Sequence, residues 1–394
     1  MSRFFVLIFC GFFLLLVSES QFIYAQDSDS LYWQSNIYPL EISGDSSFGS
    51  FSALDSIVGQ YRFFFTAEQH WRTINTQIQF AFLTYLHRKA GVRNLILEGG
   101  FTYGYLINRY LETGDDRLLK KVLNDIPVCP EDQLNMFEKL RNYNLQFPPE
   151  DRIMVTGIDL EHSEELALQG LHTLLSEERE PSAAIAPMIR QIAELHQSKV
   201  LEVKKIRHLF RILQADFKRH DSEHAAYWGD NYPLVRLINE NAIAGKSFSL
   251  IRAILFKKTW ETREKQMFAN FIALQPRMNP GNYYAQFGAL HTDIKTSINW
   301  KFPSLAHRLN FFDESPVSGE VMTVSRYFRR MAADYNRIGE EDKLTRMVNF
   351  AEANYSNPII LCSMIGPNSP FAEMSKTFQY IMLLDPGAEA PPCE

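Results

Sequence analysis

The chain has 394 residues, 46% of them hydrophobic and 22% charged, with a formal net charge of -6. This is globular composition, with length for one large domain or two smaller ones. The acidic balance and the lack of a Lys/Arg-rich run exclude a nucleic-acid partner held by a basic field.

In chain order, "MSRFFVLIFCGFFLLLVSESQFIYAQ" opens the protein. Arg3 precedes an apolar core from Phe4 to about Val17, and Ile23-Tyr24-Ala25 offers a cleavage site before Gln26. That core is shorter than the ~20 apolar residues needed to span a bilayer, so the pattern predicts a signal peptide over 1–25 and an exported product. Cys10 lacks the small residues that precede a lipidated cysteine. No later segment is apolar enough to span, so no stable membrane insertion is expected after cleavage. Cys129, Cys362 and Cys393 remain, too few for a disulfide-built scaffold, and their pairing is open. Residues 26–50 read as a loosely structured lead-in.

Short apolar runs rich in β-branched or aromatic residues follow at 61–67, 93–97, 152–158, 283–290, 358–365 and 379–384. They predict buried strands. Between the first two, Ile74, Ile78, Phe82, Leu83 and Leu86 recur at helical spacing, and Gly91 can close the helix. Residues 161–275 are rich in Leu, Ala, Glu, Lys and Arg and read as an all-helical insertion packed over one end of the sheet. The expected fold is α/β, a central mixed or parallel sheet flanked by helices. Its core divides into 26–160 and 276–394 around the insertion.

Four of these runs end in ionisable residues: Glu68 and His70, then Glu98, then Asp159, then His291. Ligands bind outside the carboxyl ends of the strands in open α/β sheets, so these groups converge if the strands are neighbours. Singly, each has a plainer reading as a helix cap or a satisfied polar residue. In "ETREKQMFANFIAL", Arg263, Met267 and Asn270 share one helix face, and Arg263 can clamp a carboxylate or an oxyanion. "HDSEH", His220 to His224, matches the H-x-x-E-H zinc-peptidase pattern with Glu223 as base, but no third ligand follows, and a solvated helix face is the expectation. No G-x-S-x-G elbow and no Cys-His setting is present. Acids and bases without a covalent nucleophile point to attack by water with histidine as general base.

With these motifs in hand, the chain resembles the erythromycin esterase-like family, whose wider group includes Tiki and ChaN-type haem-uptake proteins. The resemblance runs from about Phe51 to His291, with a looser tail to about Pro386. It rests on "FSALDSIVGQYRFFFTAEQH", "GVRNLILEGG", "MVTGIDLEH", "TREKQMFANFIAL" and "QFGALHTD", in that order. It implies a sheet wrapped by helices and hydrolysis of an ester or lactone of a small molecule. It also implies His70 as the base that activates water, Glu68 and Glu98 as its orienters, His291 as polariser of the carbonyl or leaving group, and Arg263 as stabiliser of the oxyanion. Asp159, Tyr103, Asn270 and Trp71 are the expected substrate-contacting residues, with Trp71 at the pocket rim. The chain departs from the family pattern in having Ala67 before the first Glu, Glu-x-His spacing and Trp71 after the histidine. No cofactor is required on this reading. Two alternatives keep the pocket: a divalent metal held by Glu68, His70, Glu98 and His291 in a Tiki-type hydrolase or peptidase, or haem in a ChaN-like binding protein. Composition and resemblance together suggest a bacterial periplasmic or secreted protein.

Overall fold

A computed structural model describes residues 28–42, 51–70, 72–124, 130–198, 200–251, 256–295, 302–328, 341–357 and 359–384. The expected signal peptide, Trp71, Cys129 and Cys393 lie outside the described residues. No described helix is long and apolar enough to cross a membrane.

The architecture is a mixed eight-stranded sheet between helical layers. Its strands are β1 (Ile37–Leu40), β2 (Phe63–Glu68), β3 (Val92–Gly100), β4 (Met154–Asp159), β5 (Asn282–Gly288), β6 (Val321–Phe328), β7 (Ile359–Ser363) and β8 (Tyr380–Leu384). They run in the order β1-β7-β8-β6-β2-β5-β3-β4. From β8 to β4 every pairing is parallel, and β7 and β1 add antiparallel edges. The six expected strands are all present. β1 and β6 are additional, and β1 corrects the reading of 26–50 as loose, since Ile37–Leu40 pairs with Ile359–Cys362. β6, "VMTVSRYF", escapes a hydrophobicity reading because Thr, Ser and Arg interrupt it.

β2 explains how the chain is layered. Phe63 and Phe65 point into one core and Phe64 into the other, all fully buried, because side chains of a strand alternate between faces. A strand apolar on both faces needs cover on both. The Phe64 face is covered by the helices Ile74–Ala90, Phe101–Thr113, Asp116–Asn124 and Pro130–Asn144. Gly91, at φ 63°, ends the first of these in the left-handed region and lets β3 begin at once. The Phe63/Phe65 face is covered by helices from the segment between β4 and β5, where every described element is helical. Met267 and Phe271 of the helix Phe256–Leu274 share a core with Phe63, Phe65, Tyr283 and Phe287. The helical segment therefore covers a face of the sheet, which corrects the expectation that it packs over one end. Cys362 is buried in β7.

Candidate active site

β2, β3, β4, β5 and β6 present their carboxyl ends side by side. Four of the five expected strand-end groups are on the strands themselves or two residues beyond: Glu68 ends β2, Glu98 lies within β3, Asp159 ends β4, and His70 follows β2. His291 instead stands on a one-turn helix, Ala289–Thr292, that follows β5 directly. The β3–β4 register shifts between Leu97 and Gly100, a bulge-type irregularity of the kind that re-aims a side chain, and Glu98 falls in it. Gly157 is required nearby. A Cβ there would stand 1.9 Å from the carbonyl oxygen of Gly100, so only glycine allows β4 to pass the bulge.

Glu68 and His70 form the accessible end of the cluster. Glu68 Oε1 lies 2.6 Å from His70 Nδ1, and its Oε2 accepts from Gln286 Nε2 at 2.9 Å. A carboxylate only accepts, so Nδ1 carries a proton and Nε2 is left as the basic nitrogen of the neutral ring. That hydrogen bond to Glu68 is the main reason the His70 pKa is raised; burial opposes it, and the charge of Glu98 adds to it. The His70 side chain is 48% exposed, whereas Glu68 is 16% exposed. Gly288 pairs with Glu68 across the β2–β5 register, and a Cβ on it would approach His70 Nε2 to 3.1 Å. Glycine there keeps the basic nitrogen clear.

Behind this pair lies a buried ion network. Glu98 Oε1 accepts from Arg263 at 2.8 Å and is 3.2 Å from His291 Nε2, and its Oε2 accepts from the Gly288 N–H at 2.8 Å. His291 Nδ1 bonds Glu264 Oε1, and Glu264 Oε2 accepts from the Leu305 N–H at 2.6 Å. Arg263 Nε reaches both oxygens of Asp159, at 3.0 and 3.1 Å, and Arg263 also donates to Asp159 through Nη2. Burial alone would push Glu98 and Asp159 up. For Glu98 the charges of His291, Arg263 and His70 outweigh it, and for Asp159 those of Arg263 and His162 do, so both are held far below the usual carboxylate range. His291 is 2% exposed, yet Glu264 and Glu98 overcome its burial and raise it to about 10, making it an imidazolium at neutral pH. Removing one member of such a network would leave a buried charge uncompensated.

A cavity of about 310 Å³ opens on this edge, lined by Glu68, His70, Gly288, His291, Arg326 and Trp260 among others. The structure thus brings Glu68, His70 and His291 to one cavity, with Glu98 directly behind them. Arg263 contributes no lining there: Nε and Nη2 are committed to Asp159 and Glu98, and Nη1 lies 3.4 Å from His291 Nε2, which corrects the expectation that it faces a substrate oxyanion. Nor do the expected substrate contacts Asp159, Tyr103 and Asn270 line the cavity. Asp159 is fully buried between Arg263, His162 and the Leu160 N–H. Tyr103 is buried in the apolar core. Asn270 donates to the carbonyl of Ile158 at 2.8 Å and so ties its helix to β4. The four donors named for a metal are bonded to one another and to Arg263 instead of facing a common point. Among the described residues no group of three or more His, Cys, Asp or Glu is arranged to hold one. In "HDSEH", His224 is fully buried, 2.8 Å from Asp216 and accepting from Trp228 at 3.4 Å, so it is a core histidine rather than part of a solvated face.

Gln286, Glu264 and Arg326 were not anticipated. A lone Gln inside "YYAQFGAL", an acid next to Arg263 and a lone Arg inside "VMTVSRYF" were the available signals. Gln286 and Arg326 are polar residues at apolar positions of their strands.

Known structures of the same architecture accompany this geometry. A Bacillus cereus protein aligns at a TM-score of 0.65 and 12% identity, over 91% of this chain and 97% of its own. A mutant of the erythromycin esterase EreC, in its open conformation, aligns at 0.64 and 12% identity, over 91% of this chain and 98% of its own. The chain has the fold of an erythromycin esterase. A succinoglycan biosynthesis protein aligns at 0.63 and 14% identity, over 91% and 97%. No family model matches the sequence, and no curated protein does.

Proposed function

We propose that this chain is an exported hydrolase that cleaves an ester or lactone of a small molecule by histidine-assisted attack of water. The observation that carries this reading is the Glu68–His70 pair at the cavity mouth, with Nδ1 fixed by the carboxylate and Nε2 left basic. His70 Nε2 takes a proton from water as its oxygen bonds the acyl carbon. The acyl–oxygen bond then breaks, and the departing alkoxide takes that proton back, leaving an acid and an alcohol. Glu68 orients the ring and stabilises the imidazolium that forms. Glu98, kept ionised by Arg263 and His291, fixes the Gly288 end of β5 and supports the charge on His70. His291 lines the cavity, its Nε2–H shared with Glu98, and polarises the substrate carbonyl or holds the leaving group. Likeness in fold to an erythromycin esterase supports an ester as the bond, and the apolar N-terminal segment supports export.

The test is hydrolysis of a panel of esters and lactones, a macrolide included, by the wild type and His70→Ala. A positioned base contributes roughly a hundred- to ten-thousandfold in rate. Loss of that order with the fold intact is expected, and near-normal turnover by the variant would remove His70 from the role.

A further inference from the structure

We propose that this cavity takes a substrate bearing an anionic group, a carboxylate or a phosphate, and that Arg326 receives it. Arg326 lines the same cavity as His70 but belongs to β6, on the opposite side of β2 from Glu98. The β2–β6 register pairs Thr66 with Val324, and two further residues on each strand bring Glu68 and Arg326 level at the sheet edge. Arg326 Nε donates to the Ala67 carbonyl, yet Nη1 and Nη2 are buried without a hydrogen-bond partner.

A guanidinium whose terminal nitrogens are removed from water and given no acceptor is costly unless something completes it. The neighbouring groups do not. Glu68 is the nearest carboxylate in charge terms, but its oxygens are engaged by His70 and Gln286. The Tyr284 hydroxyl is bonded to Thr66 at 2.7 Å. Burial lowers Arg326 to about 10, which still leaves it charged at neutral pH. Arg263, the guanidinium behind the cavity, shows the contrast, because Asp159 and Glu98 both pair with it. The missing acceptor at Arg326 is therefore a ligand's. Guanidinium binds planar carboxylates and phosphates with two parallel N–H donors, and both terminal nitrogens are available. Trp260, Tyr327 and Leu384 line the cavity and suit a short hydrocarbon body between the charged end and the scissile bond. A neutral or cationic ester would leave the guanidinium unanswered.

What happens to the bound molecule rests on the hydrolase reading; its binding does not. The test compares the 4-nitrophenyl monoester of adipic acid with its methyl-capped diester, alongside calorimetric titration of the protein with adipate and with inorganic phosphate. Full-length wild type, Arg326→Gln, Arg326→Lys and His70→Ala are compared. The charged-over-capped ratio of kcat/KM should be roughly ten- to a hundredfold in the wild type, the range a charge-assisted hydrogen bond provides. It should fall toward one in Arg326→Gln and stand between in Arg326→Lys, which keeps the charge but not the fork. Adipate or phosphate binding should weaken in step, and which of the two binds tells carboxylate from phosphate. The proposal is overturned if the wild type binds neither anion, or if ratio and binding survive in Arg326→Gln. Should that variant not fold, a wild-type ratio in Arg326→Lys overturns it equally. Should the wild type cleave no ester while still binding an anion through Arg326, the hydrolase reading falls and this one stands.

Discussion

Glu68→Gln is the sharpest perturbation the site offers, because two donors converge on one carboxylate. Glu68 accepts from His70 Nδ1 and from Gln286 Nε2, on separate oxygens. A glutamine has one acceptor oxygen and one NH₂, so it cannot satisfy both. If its oxygen stays with His70, two amide NH₂ groups face each other at 286. If its oxygen turns to Gln286, its NH₂ points at His70 Nδ1, and the neutral ring must carry its proton on Nε2 instead, where it is no longer a base. Either arrangement also removes the charge that raises the His70 pKa. A hydrogen bond to a charged group contributes roughly 1.5–3 kcal/mol, which corresponds to a fall of about one to two pKa units. Glu98 still faces His70 and keeps part of the rise. The assay is NMR titration of the His70 imidazole, in wild type and variant, with kcat/KM measured against pH. In the wild type the base must be neutral, so kcat/KM should rise with pH through a pKa above the usual 6.5 for histidine. In Glu68→Gln that limb should move to lower pH while the plateau drops, by up to the hundred- to ten-thousandfold a positioned base provides. An unmoved His70 titration, or a plateau equal to the wild type's, would refute the assignment of Glu68 as the group that sets both tautomer and pKa.

Two further outcomes concern stability. Glu264→Ala strips His291 of one carboxylate and leaves the Leu305 N–H unanswered, so denaturant unfolding should show a loss of roughly 3–5 kcal/mol, the range for breaking a buried ion pair. Because the His291 pKa is raised in the folded state to about 10, that advantage is complete below the unfolded value of 6.5 and fades as pH rises through about 10. Glu161 is a buried carboxyl that accepts from the Thr102 N–H at 2.9 Å, and burial raises it to about 7 from 4.5. The folded state thus prefers it protonated, and the stability it lends at low pH is lost as pH climbs from 4.5 to 7. Glu161→Gln keeps the acceptor without the charge. Thermal melts should show the variant gaining on the wild type across that window, by up to roughly 3 kcal/mol at its upper end; parallel melting curves would contradict the assignment.

What could be read in the sequence and what could not divides along a physical line. The buried parallel strands and the acids and histidines at their carboxyl ends were legible, since a strand apolar on both faces and a charge at its end are both local features. His291 was found, though it stands on the helical turn after β5. β6 was missed for the reason that now gives it interest: Arg326 sits where an apolar residue would have completed the pattern. The direction in which a side chain is satisfied was not legible either. Arg263 and Asp159 both looked free to meet a ligand, because sequence spacing gives no sign that a residue on the helix Phe256–Leu274 reaches one at the end of β4. Once paired, they cease to be binding groups, and Arg263 becomes part of the counter-charge that keeps Glu98 ionised. That exchange leaves one cation at the cavity without an anion, and it is Arg326 rather than Arg263. A site with a base on one side of β2 and an unanswered guanidinium on the other discriminates by charge across the scissile bond, and substrate choice then rests on the strand least visible in the sequence.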